Sequence, residues 1–293
     1  MAESRGILLI ATGHRNYTRM AVTLAATIRM VDKSISICLA GNYQELPPEE
    51  KALFTDFVDI PKKYHTLGTN TEAWIKTKVH LDQLSPYKET LFLDVDQVWL
   101  WKTTPTQTFD LLSQHEWVIE NTGYISFDNY IYPMSENWCD MKEVQEGYGF
   151  KDEHFYKVHS EFIYFKKTKK VEELFKKIRE VYTKPKVKPL SFAGAYPDEF
   201  AFAIAMSLTG TYPEIGNYCP TYWQPRDNSD KYIYQIATDY LTLSIGGSFV
   251  DEASKENYNN VAKRAFNELE LINPYQITKF NDKRRYLPER KSS

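Results

Sequence analysis

The sequence predicts an α/β domain in which a sheet is flanked by helices, with elaborations toward the C-terminus. Three observations carry that reading. Strand-like and helix-like segments alternate through the first 120 residues. The opening run, residues 6–12, is apolar without alternation, as expected of a strand buried on both faces. The chain has 293 residues, 42% of them hydrophobic, which is ample for a core of this size.

The elements follow in order. Residues 17–31 place Met20, Ala21, Leu24, Ala25, Ile28 and Val31 at helical spacing. Residues 34–40 read as a second strand closed by Gly41 and Asn42. Pro47, Pro48, Glu49 and Glu50 open a helix, since proline suits a first turn and acids complement the dipole. Residues 57–60 form a short third strand, and a polar connection, 61–70, leads to a helix at 71–84 stopped by Pro86. Residues 90–94 are the fourth strand and 116–120 a fifth. The stretch 121–157 is aromatic, contains glycines and shows no period, so an active-site excursion or lid is expected there. Further strands are expected at 161–165 and 240–245, and helices at 169–182, 198–208 and 257–271. The tail from Lys279 is basic and polar. The whole reads as one domain, 1–293, with a nucleotide-binding half (1–102), an acceptor and sugar half (103–250) and a C-terminal helix and tail (251–293).

Composition excludes several classes. An aromatic content of 15% is incompatible with a disordered chain. No stretch approaches the ~18–20 uncharged apolar residues of a membrane span. The N-terminal apolar run is too short for a cleavable signal, so a cytoplasmic location without membrane partners is the expectation. Cys38, Cys139 and Cys219 are widely spaced, which argues against zinc and against a disulfide framework. A net charge of −3 argues against a dedicated nucleic-acid packaging protein.

The strongest chemical signal is Asp94-Val95-Asp96 at the end of an apolar strand. Two carboxylates one residue apart lie on the same side of an extended chain, roughly 6–7 Å apart. At a strand's carboxyl end they project into the crevice where α/β proteins bind ligands. Mg²⁺ or Mn²⁺ is the natural cation between them, because hard ions favour oxygen and leave positions open for a phosphate-bearing substrate. Two solvated acids at a strand end are the plain alternative. Ala11 and Thr12, ahead of Tyr17, form a strand-to-helix turn able to present N–H groups to an anion, or else an ordinary turn with a packed tyrosine. Lys78, in Thr77-Lys78-Val79-His80, reaches a diphosphate as a point charge or is a solvated lysine. His80 reads as a packed or surface residue.

Together these segments resemble the GT-A glycosyltransferases, most closely the glycogenin-like family 8 group. The matching residues are Ala11-Thr12 and Tyr17, Thr77-Lys78-Val79-His80, Leu84 and Tyr87, and Leu91-Phe92-Leu93-Asp94-Val95-Asp96. The resemblance is clearest over residues 6–102. It implies a GT-A-like, Rossmann-like mixed sheet, and an enzyme transferring a sugar from a nucleotide-sugar, a UDP-sugar first, to a hydroxyl acceptor with retention of configuration. It assigns Asp94 and Asp96 to Mn²⁺ or Mg²⁺, Lys78 and Val95 to the donor, and Ala11, Thr12 and Tyr17 to the nucleotide. Two weaker matches extend it. His159-Ser160-Glu161 stands where the family has Asn-Ser-Gly, and Pro197-Asp198-Glu199 where it has Asp-Gln near the reacting sugar, which makes Asp198, Glu199 and Glu161 catalytic candidates. Asp198 and Glu199 also read as plain capping acids. The family's late histidine ligand and lysine loop are absent. His159 is the candidate third metal ligand, and Ser244-Ile245-Gly246-Gly247-Ser248 a reduced diphosphate loop in which Gly246 and Gly247 offer backbone N–H groups.

The acceptor stays open among a glycan, a protein hydroxyl and modified DNA. The lysines of 166–188 bear on the last, or form a solvated helix face. The aromatic stretch 212–223 reads as a stacking platform or as core. The alternatives to sugar transfer are a nucleotidyltransferase using a nucleoside triphosphate, and a non-catalytic sugar- or nucleic-acid-binding relative.

Overall fold

The structure, a computed structural model, describes residues 5–13, 15–67, 71–72, 74–127, 135–190, 196–213, 215–223, 233–246, 252–272 and 274–276. The chain opens with β1 (Arg5–Ala11), α1 (Arg15–Val31), β2 (Ser36–Gly41), α2 (Pro48–Lys51) and β3 (Asp56–Val58). Met20, Leu24 and Ile28, four residues apart on α1, are buried, and Pro48 and two acids open α2 as expected. Next come the two-residue strands β4 (Thr66–Leu67) and β5 (Thr71–Glu72), a 3₁₀ helix (Trp74–His80) and the short α3 (Leu81–Leu84).

The expected helix over 71–84 is therefore corrected to a strand, a 3₁₀ segment and one α turn. Ile75, Thr77 and Val79 put a β-branched residue at every second position. Their restricted χ1 disfavours an α-helix there.

Then follow β6 (Glu89–Leu93), β7 (Gln97–Trp99), α4 (Pro105–Leu112), β8 (Trp117–Ser126), β9 (Ser135–Glu136), β10 (Cys139–Asp140), α5 (Met141–Tyr148) and β11 (His154–Lys166). The stretch 121–157 is thus no structureless excursion, although 128–134 lie outside the described residues. It holds the end of β8, the start of β11 and α5, whose N-cap Asp140 accepts the Glu143 N–H and whose C-cap Gly149 has φ +73°. The chain closes with α6 (Lys169–Thr183), α7 (Glu199–Thr209), β12 (Thr221–Tyr222), α8 (Ile233–Asp239), β13 (Thr242–Ser244) and α9 (Glu252–Glu268). The tail from Lys279 lies outside the described residues.

These elements group into two compact units, each drawn from separate stretches of the chain. The first comprises 1–59, 90–114 and 220–293. Its larger sheet runs β3-β2-β1-β6, with β1–β2 and β2–β3 parallel. Its smaller sheet runs β12-β13-β7, with β13–β7 antiparallel. Asp32, just after α1, accepts hydrogen bonds from Ser34 and from the N–H and hydroxyl of Thr106 at the start of α4. Burial opposes its ionisation, but these donors prevail and hold the carboxyl below its usual range.

The second unit comprises 60–89 and 115–219. Its spine is the antiparallel pair β8–β11, from Trp117 opposite Phe165 to Ser126 opposite His154. α6 packs on α7, and α7 on β11. α6 buries Val171, Leu174, Phe175 and Ile178 and leaves Lys169, Lys170 and Lys176 exposed, so its lysines form a solvated face. Trp117 lies 5.7 Å edge-on to Phe175 and 6.1 Å from the stacked ring of Phe202.

Candidate active site

In the first unit, Ala11 ends β1 and its carbonyl accepts the Asn42 N–H at 2.9 Å. Gly41 makes that approach possible. Its φ is +118°, and a Cβ there would lie 2.1 Å from the Ala11 carbonyl oxygen, so no other residue fits. Thr12 follows with 9% exposure, and Tyr17 is half-buried on the first turn of α1.

β6, next to β1 in the sheet, ends at Leu93. Asp94-Val95-Asp96 is therefore not extended strand, as its spacing suggests, but the bend between β6 and β7. Val95 is buried and anchors the bend, while both carboxylates are half-buried. The next strand then returns the chain to a second loop. β7 pairs with β13 through Gln97–Ser244 and Val98–Leu243, and the Ile245 N–H donates to the Asp96 carbonyl at 2.9 Å. Gly246 follows, held by its N–H to Ser244 Oγ (3.0 Å) and by the Trp223 indole N–H to its carbonyl (2.8 Å). The acid pair and the segment Ser244–Gly246 thus meet at Asp96, and the Gly246 N–H, expected to be offered to a phosphate, is instead taken by Ser244 Oγ. Trp223 belongs to the aromatic stretch and acts as a brace. Gly247 lies outside the described residues.

In the second unit, Lys78 is no solvated lysine. It sits half-buried on the 3₁₀ segment and donates to Ser160 Oγ at 3.2 Å. Ser160 is 1% exposed, on β11. The β8–β11 register jumps there, from His159 opposite Glu120 to Ile163 opposite Ile119. Ser160, Glu161 and Phe162 form the bulge between, a feature that re-aims side chains. His159 and Glu161 flank Ser160, both half-buried. The structure therefore brings Lys78, His159, Ser160 and Glu161 to one place in this unit.

Asp198 precedes α7 and is 3% exposed. Its side chain makes no capping hydrogen bond, although it still sits at the positive end of the helix, and its Oδ2 is buried without a partner among the described residues. Such an atom costs the full desolvation penalty of an unmet acceptor unless a donor reaches it. Burial, then the charges of Asp198 and Glu199, push the Tyr182 phenol well above its usual range, and its hydroxyl donates to the Tyr196 carbonyl at 2.8 Å. Glu199 itself is half-buried in the first turn of α7.

Two fully buried polar residues escaped the sequence reading, Glu120 and Asn121. Glu120 faces His159 across the strand pair. The Asn121 N–H donates to the Tyr218 carbonyl at 2.9 Å. Burial, then Glu120, raises the Tyr218 phenol. Their one sequence signal is an acid and an amide interrupting an apolar strand.

Among the described residues no three His, Cys, Asp or Glu side chains are grouped to hold a metal, so Asp94 and Asp96 stand as a pair. Nor is any helix of the described residues long and apolar enough to cross a membrane.

No family model and no curated protein matches the sequence. Solved structures do resemble it. Bifunctional glycosyltransferase WbbM in its apo form aligns at a TM-score of 0.54 and 13% identity, over 91% of this chain. This chain spans only 52% of that one. Galactosyltransferase LgtC, solved with donor and acceptor sugar analogues, aligns at 0.52 and 12% identity, over 96% of this chain and 99% of LgtC. An active-site mutant of LgtC aligns at 0.51 and 13% identity, over 88% and 95%. At such identities the likeness is one of fold, and the fold of this chain is the mixed α/β, GT-A-type fold of these glycosyltransferases.

Proposed function

We propose that the chain is a glycosyltransferase that moves a sugar from a nucleotide-sugar, a UDP-sugar first, to a hydroxyl acceptor, with retention of configuration. The observation that carries the reading is the joint at Asp96. One bend presents two carboxylates, and its last carbonyl accepts the Ile245 N–H of the segment that follows β13. A diphosphate bound through an ion needs anionic ligands for the cation, which this bend offers; the Ile245 and Gly246 N–H groups are already donated to the Asp96 carbonyl and to Ser244 Oγ. The shared fold, seen in LgtC solved with donor and acceptor sugar analogues, supports it.

The donor set fits Mn²⁺ or Mg²⁺. It is oxygen only, half-exposed on a bend, and would leave positions for phosphate and water. Asp94 and Asp96 would hold the ion; His159, the third ligand expected from the sequence, joins no metal-holding group among the described residues. The ion, when bound, supplies neutralisation of the diphosphate leaving group.

The chain's own residues do the rest. Ala11, Thr12 and Tyr17 bind the nucleoside, and Val95 the donor. Lys78, fixed by Ser160, places a point charge for the phosphates. Asp198 accepts a hydrogen bond from a sugar hydroxyl at its unmet Oδ2, or stabilises positive charge on the ring. Glu161 and Glu199 position the acceptor, which is a glycan, a protein hydroxyl or hydroxylated DNA.

The test is a panel of nucleotide-sugars with Mn²⁺, assayed for nucleoside diphosphate, with the anomer of the product read by NMR. Diphosphate release with a retained anomer supports the reading. Pyrophosphate release from a triphosphate, or no turnover with any donor, contradicts it.

A further inference from the structure

A strained turn in the second unit has no part in the roles above. Among the described residues, three other than glycine have a positive φ, and two of them, Asn137 (44°) and Trp138 (65°), are adjacent. They are the two central residues of the hairpin between β9 and β10, in which Glu136 pairs with Cys139. A two-residue hairpin turn with positive φ at both centres suits asparagine first and glycine second. A bulky side chain in the second place is an outlier, and such strain persists only where neighbouring contacts impose it. Asn137 supplies those contacts. Its Nδ2 donates to the Tyr156 carbonyl at 2.7 Å, and its Oδ1 accepts the Val158 N–H at 3.1 Å. The turn is thereby fastened to β11 on either side of Lys157, where the register with β8 shifts.

What this turn displays is an indole. Trp138 is 38% exposed, and its carbonyl accepts the N–H of Leu190, itself 57% exposed, at 2.8 Å. Two large apolar residues with much of their surface in water therefore adjoin. Their place in the unit matters. Val158, to which the turn is bonded, directly precedes His159, Ser160 and Glu161 on β11. Two residues of strand span about 6–7 Å, so the anchor of the turn lies that far along the strand from Ser160. A glycine at 138 would relieve the strain, so what the tryptophan adds is its ring. The C–H face of a pyranose is apolar and matches an indole face flanked by an aliphatic side chain, while its hydroxyls stay with water and polar groups. Single-stranded nucleic acid also stacks on aromatic rings, but through several of them along a basic groove.

We propose that Trp138 is the stacking residue for a saccharide acceptor. Its indole lies against the apolar face of a pyranose, with Leu190 beside it, and holds the glycan next to His159, Ser160 and Glu161. The inference rests on the transfer reading above and chooses among its acceptors. Two variants separate the ring from the turn. Trp138→Gly removes the ring and relieves the backbone, so it loses binding while stability holds or rises. A tryptophan kept only for packing would give the opposite result. Trp138→Phe keeps an aromatic face at the same strained φ.

The experiment is an NMR titration of the whole chain, without donor, using lactose, cellobiose, maltotriose and chitobiose in turn, and a short oligothymidylate. The chain has six tryptophans, and the Trp138 indole resonance is the one missing from the Trp138→Phe spectrum. A saturable shift of that resonance is expected with at least one saccharide. Affinities of the variants are read from the saccharide's own signals. Binding should weaken about tenfold in Trp138→Gly and less in Trp138→Phe. The melting temperature of Trp138→Gly should equal or exceed that of the unmodified chain. No shift with any of these saccharides overturns the proposal, as does the oligothymidylate binding at Trp138 in their place. So does undiminished binding in Trp138→Gly, a lowered melting temperature in that variant, or a loss in Trp138→Phe as deep as in Trp138→Gly. Saccharide binding at Trp138 without diphosphate release from any donor would overturn the transfer reading and uphold this site.

Discussion

Asp94 and Asp96 sit half-buried on a bend of the first unit, one residue apart and open to solvent on one side. Asp198 of the second unit is 3% exposed, alone at the start of α7, with one oxygen lacking a partner among the described residues. The first arrangement tolerates two negative charges because water and a cation can reach them. The second leaves one acceptor oxygen that no described residue meets. A carboxylate pair of that kind announces itself in a sequence, since spacing alone brings the groups together. A buried lone acid does not, because its meaning comes from what surrounds it.

The largest effect expected from breaking this contrast is at the pair. Asp94→Asn or Asp96→Asn should lower turnover by about a hundredfold or more, the scale of losing a group that stabilises leaving-group charge. The melting temperature should move little, because both side chains are part-exposed. Thermal melts beside a diphosphate-release assay check both halves. Normal turnover in the double variant would leave the pair as solvated acids.

Asp198→Asn should cost on the order of tenfold to a hundredfold in turnover, with stability unchanged or raised, since the unmet oxygen makes no bond within the described residues. A stability loss with normal kinetics would instead mark Asp198 as structural. Lys78→Ala should weaken donor binding about tenfold, the scale of one charge-assisted hydrogen bond. Ser160→Ala should show a smaller loss in the same direction, because Ser160 only orients the ammonium. Isothermal titration with the nucleoside diphosphate reads both.

The smallest effect expected is in pH. His80 is held at about 4 in the folded chain, below its ordinary 6.5. The unfolded chain therefore takes up a proton first as pH falls through 6.5, and stability present above 6.5 is lost progressively down to about 4. Between pH 7 and 5.5 the loss should be about 1 kcal/mol. Urea melts of His80→Phe across that range should lack this component. An identical slope in the variant would assign the loss to other groups.

What the sequence made legible follows the same contrast. The order of strands and helices up to β3, the acid pair and the exposed lysines of α6 were readable, because each is a local pattern of spacing or period. The segment 71–84 misled because Leu81 and Leu84 complete a helical stripe, while the alternating β-branched Ile75, Thr77 and Val79 before them oppose an α-helix. α5 was missed although Asp140 and Gly149 bracket it, since it is only two turns long. The bulge at Ser160 and the burial of Glu120 depend on a strand pairing between residues about 40 apart in sequence, which no local period encodes. The link between Asp96 and Ile245 is longer still, and β7 is a three-residue strand that carries no pattern of its own.

The most direct test of the central claim is nucleoside diphosphate release from a UDP-sugar panel, run with Mn²⁺, after exhaustive chelation, and with Mn²⁺ restored. The account predicts release with at least one donor, its loss on chelation, its recovery with Mn²⁺, and no recovery in Asp94→Asn/Asp96→Asn. Release that survives chelation, or is undiminished in the double variant, would contradict it.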